Sequence, residues 1–316
     1  MDSVFGSRSP RIGEGLHALR SIASPPVTVS IAALPTGSLP AVTIPAIALP
    51  TIGLPAATFG AMGIDTTTLV VLVVIAFLAG IGITAIGPGG VFTTVALAGL
   101  TALPASTVAG TVHVTFVFTG VLGSAVYFRS GELRGEGRTL TAVLSAASAV
   151  GAVGGALVNT SLSGNVFDLL LGGFCVAVGA IIAYRERREL GAAISLDPGT
   201  MSGKLTIGVI GFAIGVLGGL LGIGGPVIAV PALVVCGTSM LVALAAAQVQ
   251  SIVLSGTATA TYLAAGAVSP SLALLVGVPQ LAGVVVGWRI AHRVPSRRLK
   301  AVLTVVLVAI GPLLAL

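Results

Sequence analysis

Two short stretches hold residues whose types and spacing could do chemistry: "GPGG" at Gly87 to Gly90 and "GIGGP" at Gly222 to Pro226, each interrupting an apolar run. A break of this kind leaves backbone N–H groups without partners at the start of the following half-helix, and in lipid such groups must be satisfied. Aligned peptide dipoles add about half a positive charge at that end, so a small oxyanion fits better than a cation. Gly89, Gly90, Gly224 and Gly225 would let the backbone approach a ligand closely. Pro88 and Pro226 suit a first helical turn, where no N–H is needed. The competing explanation is that the glycines only let helices pack closely, as small residues do in membranes. With 44 glycines in the chain, packing must account for many of them.

Polar side chains join these breaks from a second pair of segments. His113, in "GTVHVTFVFTG", is the imidazole that falls within an apolar run; Gln248 stands 135 residues later in "AAAQVQSIVLSG", with Gln250 and Ser251 beside it. His113 could coordinate an anion, take up a proton, or bond a neighbouring helix. The candidate substrate-binding set is therefore Gly87, Gly89, Gly90, His113, Gly222, Gly224, Gly225, Gln248, Gln250 and Ser251. Thr107, Thr111, Thr115 and Thr119 form a stripe, as do Gln248, Ser251, Ser255 and Thr259. Such a stripe either lines a polar path or bonds its own backbone carbonyls at i−4, and the threonines are read the second way. No Asp or Glu lies deep within an apolar run, which argues against a cation carrier, because a buried cation needs a counter-charge. Cys175 and Cys236 are isolated and read as packing residues. No metal site and no cofactor is expected.

The elements that must position these residues follow from composition. The chain has 316 residues, 55% hydrophobic and 8% charged, with mean hydropathy +1.13. A soluble globular domain is excluded. Charge-free windows recur from Thr66 onward, and about 20 such residues span a hydrocarbon core about 30 Å thick. Runs such as "TTTLVVLVVIAFLAG" lack a period of two, so the reading is an all-α integral membrane bundle in a lipid bilayer rather than a barrel. The net charge of +6 comes from loop arginines, which report orientation rather than a nucleic-acid partner.

Sliding the chain on itself by 135 residues places Gly80 on Gly215, Gly87 on Gly222, Gly90 on Gly225 and Tyr127 on Tyr262. Each half then holds five apolar segments: 66–86, 88–102, 105–127, 139–160 and 166–184, then 204–221, 223–236, 240–263, 271–290 and 298–315. The domain reading is a tail at 1–61, a first repeat at 62–190, a cytoplasmic linker at 191–203 and a second repeat at 204–316. Arg129, Arg134 and Arg138 mark the loop after the third segment as inside, as Arg185, Arg187, Arg188 and Lys204 mark the linker. In the second half the basic cluster, Arg289 to Lys300, moves one loop onward. That shift predicts two inverted-topology repeats, each with a glycine-broken or re-entrant helix pair plus three spanning helices. Inverted repeats with discontinuous helices are a recurrent plan for secondary transporters, with substrate at the breaks.

Ahead of this lies "LPTGSLPAVTIPAIALPTIGLPAAT", with Pro35, Pro40, Pro45, Pro50 and Pro55 spaced by five. Proline at that frequency excludes a continuous helix and a central strand, leaving an extended tail. It is read as a low-complexity extension, with a stalk or docking segment as the alternative, and Met62 would be an ordinary opening for a membrane protein.

The segment "GLLGIGGPVIAVPAL", the helix after it, "YLAAGAV" and "GVVVGWRIAHRVPSRRLK" resemble the TauE/SafE family of membrane permeases. The likeness covers about residues 66 to 316 and departs in the first half, where Pro88 interrupts the glycine run and Ala96 stands opposite Pro231. The resemblance implies transport of small anions, typically sulfite, organosulfonates or related sulfur compounds, by a multi-pass protein of the cell membrane; it leaves room for a homo-oligomer. Two other classes compete: a membrane scaffold that moves nothing, and an intramembrane hydrolase using Ser255 and His113. A rhomboid-like nucleophile would need glycine two residues before the serine, and position 253 is valine.

Overall fold

The computed structural model describes residues 63–130, 136–188, 197–291 and 293. The proline-spaced tail, the tenth apolar segment and most of its preceding basic cluster lie outside the described residues. Among the described residues every regular element is helical: α1 Thr66–Ala85, a 3-10 turn Pro88–Gly90 leading into α2 Val91–Leu100, α3 Ala105–Ser130, α4 Glu136–Asn159, α5 Gly164–Arg187, α6 Met201–Leu221, α7 Pro226–Val235, α8 Met240–Ala264 and α9 Pro270–Ala291. Seven of these are long and apolar enough to cross a membrane, while Pro88–Leu100 and Pro226–Val235 are shorter. Ten residues make only about 15 Å of helix, so α2 and α7 are half-helices.

Local chemistry sets where the pair before each half-helix begins and ends. Asp65 caps α1 by accepting the N–H of Thr68 at 3.2 Å, and the Thr68 hydroxyl first, with this N–H second, holds its carboxyl below the usual carboxylate range. Thr200 caps α6 by accepting the N–H of Gly203 at 3.1 Å. Both helices then stop at a residue with positive φ, Gly87 at 109° and Gly222 at 64°, which a side chain would strain. Gly222 is a left-handed C-cap whose N–H returns to the carbonyl of Gly218. Proline opens each segment that follows.

Small residues decide how the long helices pair. Gly211, Gly215 and Gly219 of α6 face the backbones of Leu144, Ser148 and Ala152 of α4, while Gly151 and Gly155 of α4 face the carbonyls of Phe212 and Val216. The numbers rise together, so α4 and α6 run parallel. Gly80 of α1 meets the carbonyl of Gln280, and Gly283 and Gly287 of α9 meet those of Phe77 and Ile81, so α1 and α9 are parallel too. In lipid there is little hydrophobic gain in joining helices, and close backbone approach supplies dispersion contacts instead. By contrast α3 and α8 run antiparallel, with Gly110 against Tyr262 and Gly120 against Gln248 and Ile252.

The half-to-half correspondence extends to individual bonds. Tyr127 Oη donates to the carbonyl of Thr84 at 2.8 Å, and Tyr262 Oη, 135 residues on, donates to that of Gly219 at 2.7 Å. His113 Nε2 bonds the carbonyl of Gly218 at 3.1 Å, and Gln248 Nε2 bonds that of Ile83 at 3.3 Å. Following the helix directions, Arg138, Lys204 and Arg289 fall at one end of the bundle, and Asp65 and Asp168 at the other.

Candidate functional site

The two breaks meet each other. A Cβ on Gly87 would lie 2.9 Å from Val230 Cγ2 and 3.2 Å from the carbonyl oxygen of Pro226, the first residue of α7. The Phe116 ring sits between the two glycine clusters, 2.8 Å from a Cβ on Gly90 and 3.2 Å from one on Gly224. Phe116 lies near the midpoint of α3. Since α2 leads to the start of α3, α7 leads to the start of α8, and α3 and α8 are antiparallel, the half-helices run from this ring toward opposite ends. Neither starts with a side-chain cap. Two positive dipole ends therefore converge on one place in the bundle interior.

The sequence-derived residues gather around that point. Gly87, Gly89, Gly90, Gly222, Gly224 and Gly225 are all buried, as are His113, Gln248, Gln250 and Ser251. Gly225 sits against Gln250 Oε1 and the backbone of Ser251. Gly89 lies on the backbone of Gly82, and Gly222 on Ala109. Protein atoms thus fill the space beside each glycine, and close packing is one of their roles here.

His113 has both ring nitrogens engaged. The Gly218 carbonyl can only accept, so Nε2 carries the proton, and Nδ1 accepts from Ser255 Oγ at 3.2 Å. Tyr262 stacks on the ring and Phe116 meets it edge-on. The threonine stripe does bond its own backbone in part, though at i−3: Thr115 to the carbonyl of Val112 and Thr119 to that of Phe116. Thr111 instead accepts the N–H of Ser269 at 2.9 Å, tying α3 to the start of α9.

Several residues around the breaks give no sign in the sequence. Phe116 reads as one more apolar residue. Ser148 and Gln280 are polar but stand outside the repeat motifs, and Thr93 follows the first glycine cluster; Gln250 Nε2 donates to Ser148 Oγ at 2.6 Å, and Gln280 Nε2 to Thr93 Oγ1 at 3.0 Å. Thr94 Oγ1 donates to the carbonyl of Gly222, pinning the second break to the first half-helix. A cavity of about 220 Å³ lies apart from all of these, between the α2–α3 loop and the start of α5, lined by Thr101, Leu103, Val108, Phe167 and Asp168 among others.

These features define a multi-pass helical membrane protein with two half-helices converging on a buried, uncapped junction. Among the described residues no cluster of His, Cys, Asp or Glu could hold a metal ion. The chain belongs to the sulfite exporter TauE/SafE family, whose model matches residues 72–314, and so to a family of membrane transporters of sulfur anions. Neither a curated protein nor a solved structure matches it.

Proposed function

We propose that this protein is a secondary permease of the cell membrane that moves sulfite, an organosulfonate or a related small sulfur anion by alternating access, with the substrate held where the two half-helices meet. The single observation that carries the reading is the convergence of both uncapped half-helix starts on Phe116, whose ring lies against Gly90, the first N-cap, and against Gly224, next to the second N-cap at Gly225. An anion there would face two positive dipole ends, and no Asp or Glu among the described residues lines the junction to repel it. The junction is buried, so substrate reaches it only when the packed halves rock apart toward one end at a time. Gly224→Val tests this directly. Its Cβ would crowd a side chain, Phe116 at 3.2 Å, rather than backbone, so the variant is expected to insert and fold yet lose flux by about tenfold or more. A scaffold protein would keep every property except partner binding.

The repeats are proposed to be inverted. The parallel pairing of α1 with α9 and of α6 with α4 supports this, because it sets α1 and α6 in opposite directions once the basic ends share one side. Single cysteines at Glu132 and at the exposed Ala265, in a background lacking Cys175 and Cys236, are expected to react with an impermeant reagent from opposite sides. Reaction from the same side excludes the inversion.

The Ser255–His113 contact favours one other reading, an intramembrane hydrolase. The histidine is oriented by a carbonyl rather than a carboxylate, and both residues are fully buried. Ser255→Ala separates the readings: a hydrolase loses its chemistry outright, whereas the permease, which loses only the donor to His113 Nδ1, keeps saturable flux.

A further inference from the structure

The buried amides beside the breaks share one feature: each spends its NH2 on protein and leaves its oxygen bare. For Gln250 the orientation is dictated by its partner. Ser148 Oγ donates its one proton to the carbonyl of Leu144 at 2.6 Å, so toward Gln250 it can only accept, and the amide must present Nε2 there, at 2.6 Å. Gln250 Oε1 then points the other way, against Gly225, where it lies 2.9 Å from the site of a Cβ. It has no hydrogen-bond partner, and the residue is 0% exposed. Gly225 is the N-cap of α7, which begins without a side-chain cap. Gln248 repeats the logic, since the carbonyl of Ile83 can only accept; its Nε2 faces Ile83 and its Oε1 is bare. At the first break Gln280 Oε1 is bare as well.

The α7 start therefore sets donors, from the backbone dipole, beside a buried acceptor that lacks a proton to accept. An oxyanion with every oxygen unprotonated satisfies the donors but turns an oxygen toward Gln250 Oε1, leaving that atom unpaired and repelled. A singly protonated oxyanion satisfies both, giving its O–H to Oε1 and its remaining oxygens to the helix start. It also carries one charge fewer out of water. We infer that Gln250 makes the second break selective for a singly protonated oxyanion, hydrogensulfite rather than the sulfite dianion, and for such an anion over a sulfonate of equal charge with no O–H. The inference rests on the reading of the breaks as the substrate site.

The test compares hydrogensulfite with methanesulfonate, which carries the same single charge and no O–H. Labelled sulfite flux is measured in proteoliposomes across a pH series, with protein-free vesicles subtracting the leak of neutral sulfur dioxide. Methanesulfonate keeps its charge throughout, so its own flux reports any titration of the protein, including His113, Tyr127 and Tyr262, which bond the ends of α1 and α6. The expected result is sulfite flux that tracks the hydrogensulfite fraction, with methanesulfonate competing at least tenfold more weakly, roughly the cost of one unpaired buried acceptor. Gln250→Leu, which leaves Ser148 bonded to Leu144, is expected to bring the two anions within about twofold, as no bare acceptor then remains beside Gly225 at the start of α7. Flux that tracks the dianion, or equal competition by methanesulfonate in the wild-type protein, overturns the inference while leaving an anion permease standing. Absence of saturable flux for every anion removes the permease reading itself.

Discussion

Gly155→Ala is expected to abolish the folded protein, while Gly154→Ala, one residue earlier in the same helix, leaves it intact. Taken alone each change favours the helix, because alanine exceeds glycine there by about 0.5–1 kcal/mol. The surroundings decide the sign. A methyl on Gly155 would overlap the carbonyl of Val216 and approach the N of Leu220 at 2.7 Å, both backbone atoms of α6. Backbone cannot step aside as a rotamer can, so α4 and α6 must part along their length, costing more than the roughly 1–3 kcal/mol typical of overpacking. Gly154 has nothing within 4 Å. The yield of monodisperse protein in detergent, and its thermal midpoint, check both variants. A folded Gly155→Ala protein would mean that α4 and α6 are not in backbone contact.

The second large effect falls on His113. Replacement by leucine deletes the bond that α3 makes to the end of α6 through Gly218, and leaves the buried Ser255 hydroxyl without its acceptor. Each unsatisfied buried group costs about 1–3 kcal/mol, so flux and stability are both expected to fall by about tenfold or more in the corresponding constants. His113→Gln is expected to rescue both. Its counterpart Gln248 already makes the equivalent bond to Ile83 in the other half, and a glutamine oxygen can accept from Ser255. Flux of His113→Gln across pH then separates two roles: if glutamine carries wild-type flux at every pH, the histidine is a structural tie. Collapse of His113→Gln alongside a stable His113→Leu would contradict the bonding described.

Much of the fold was legible because membrane helices announce themselves by length and because the repeat doubled every signal. The bounds of α1, α3 and α8 fall within a few residues of the apolar segments, and the shortness of α7 was readable from Pro226 and the next polar loop. The breaks at Gly87 and Gly222 were readable because glycines cluster beside a proline at matching places in the two halves, and both positions adopt the positive φ that glycine permits. What could not be read was who faces whom. Gly89 and Gly224 look alike in sequence, yet one rests on the backbone of Gly82 and the other on the ring of Phe116. An apolar residue such as Phe116 carries no polar or periodic mark of its place between the breaks. The spacing of the threonines predicts bonds at i−4, and two of them bond at i−3, because a hydroxyl selects whichever carbonyl its rotamer reaches. Gln250 was legible as polar, but the direction of its amide depends on Ser148, 102 residues away.

The measurement that bears most directly on the central claim is uptake of labelled sulfite, sulfate, a short sulfonate and acetate into proteoliposomes of the purified full chain, with and without a pH gradient. Saturable movement of at least one sulfur oxyanion is expected, lost in Gly224→Val, with acetate left behind. If no anion moves faster than in protein-free vesicles while the protein is folded and inserted, the junction of the two half-helices is not a transport site.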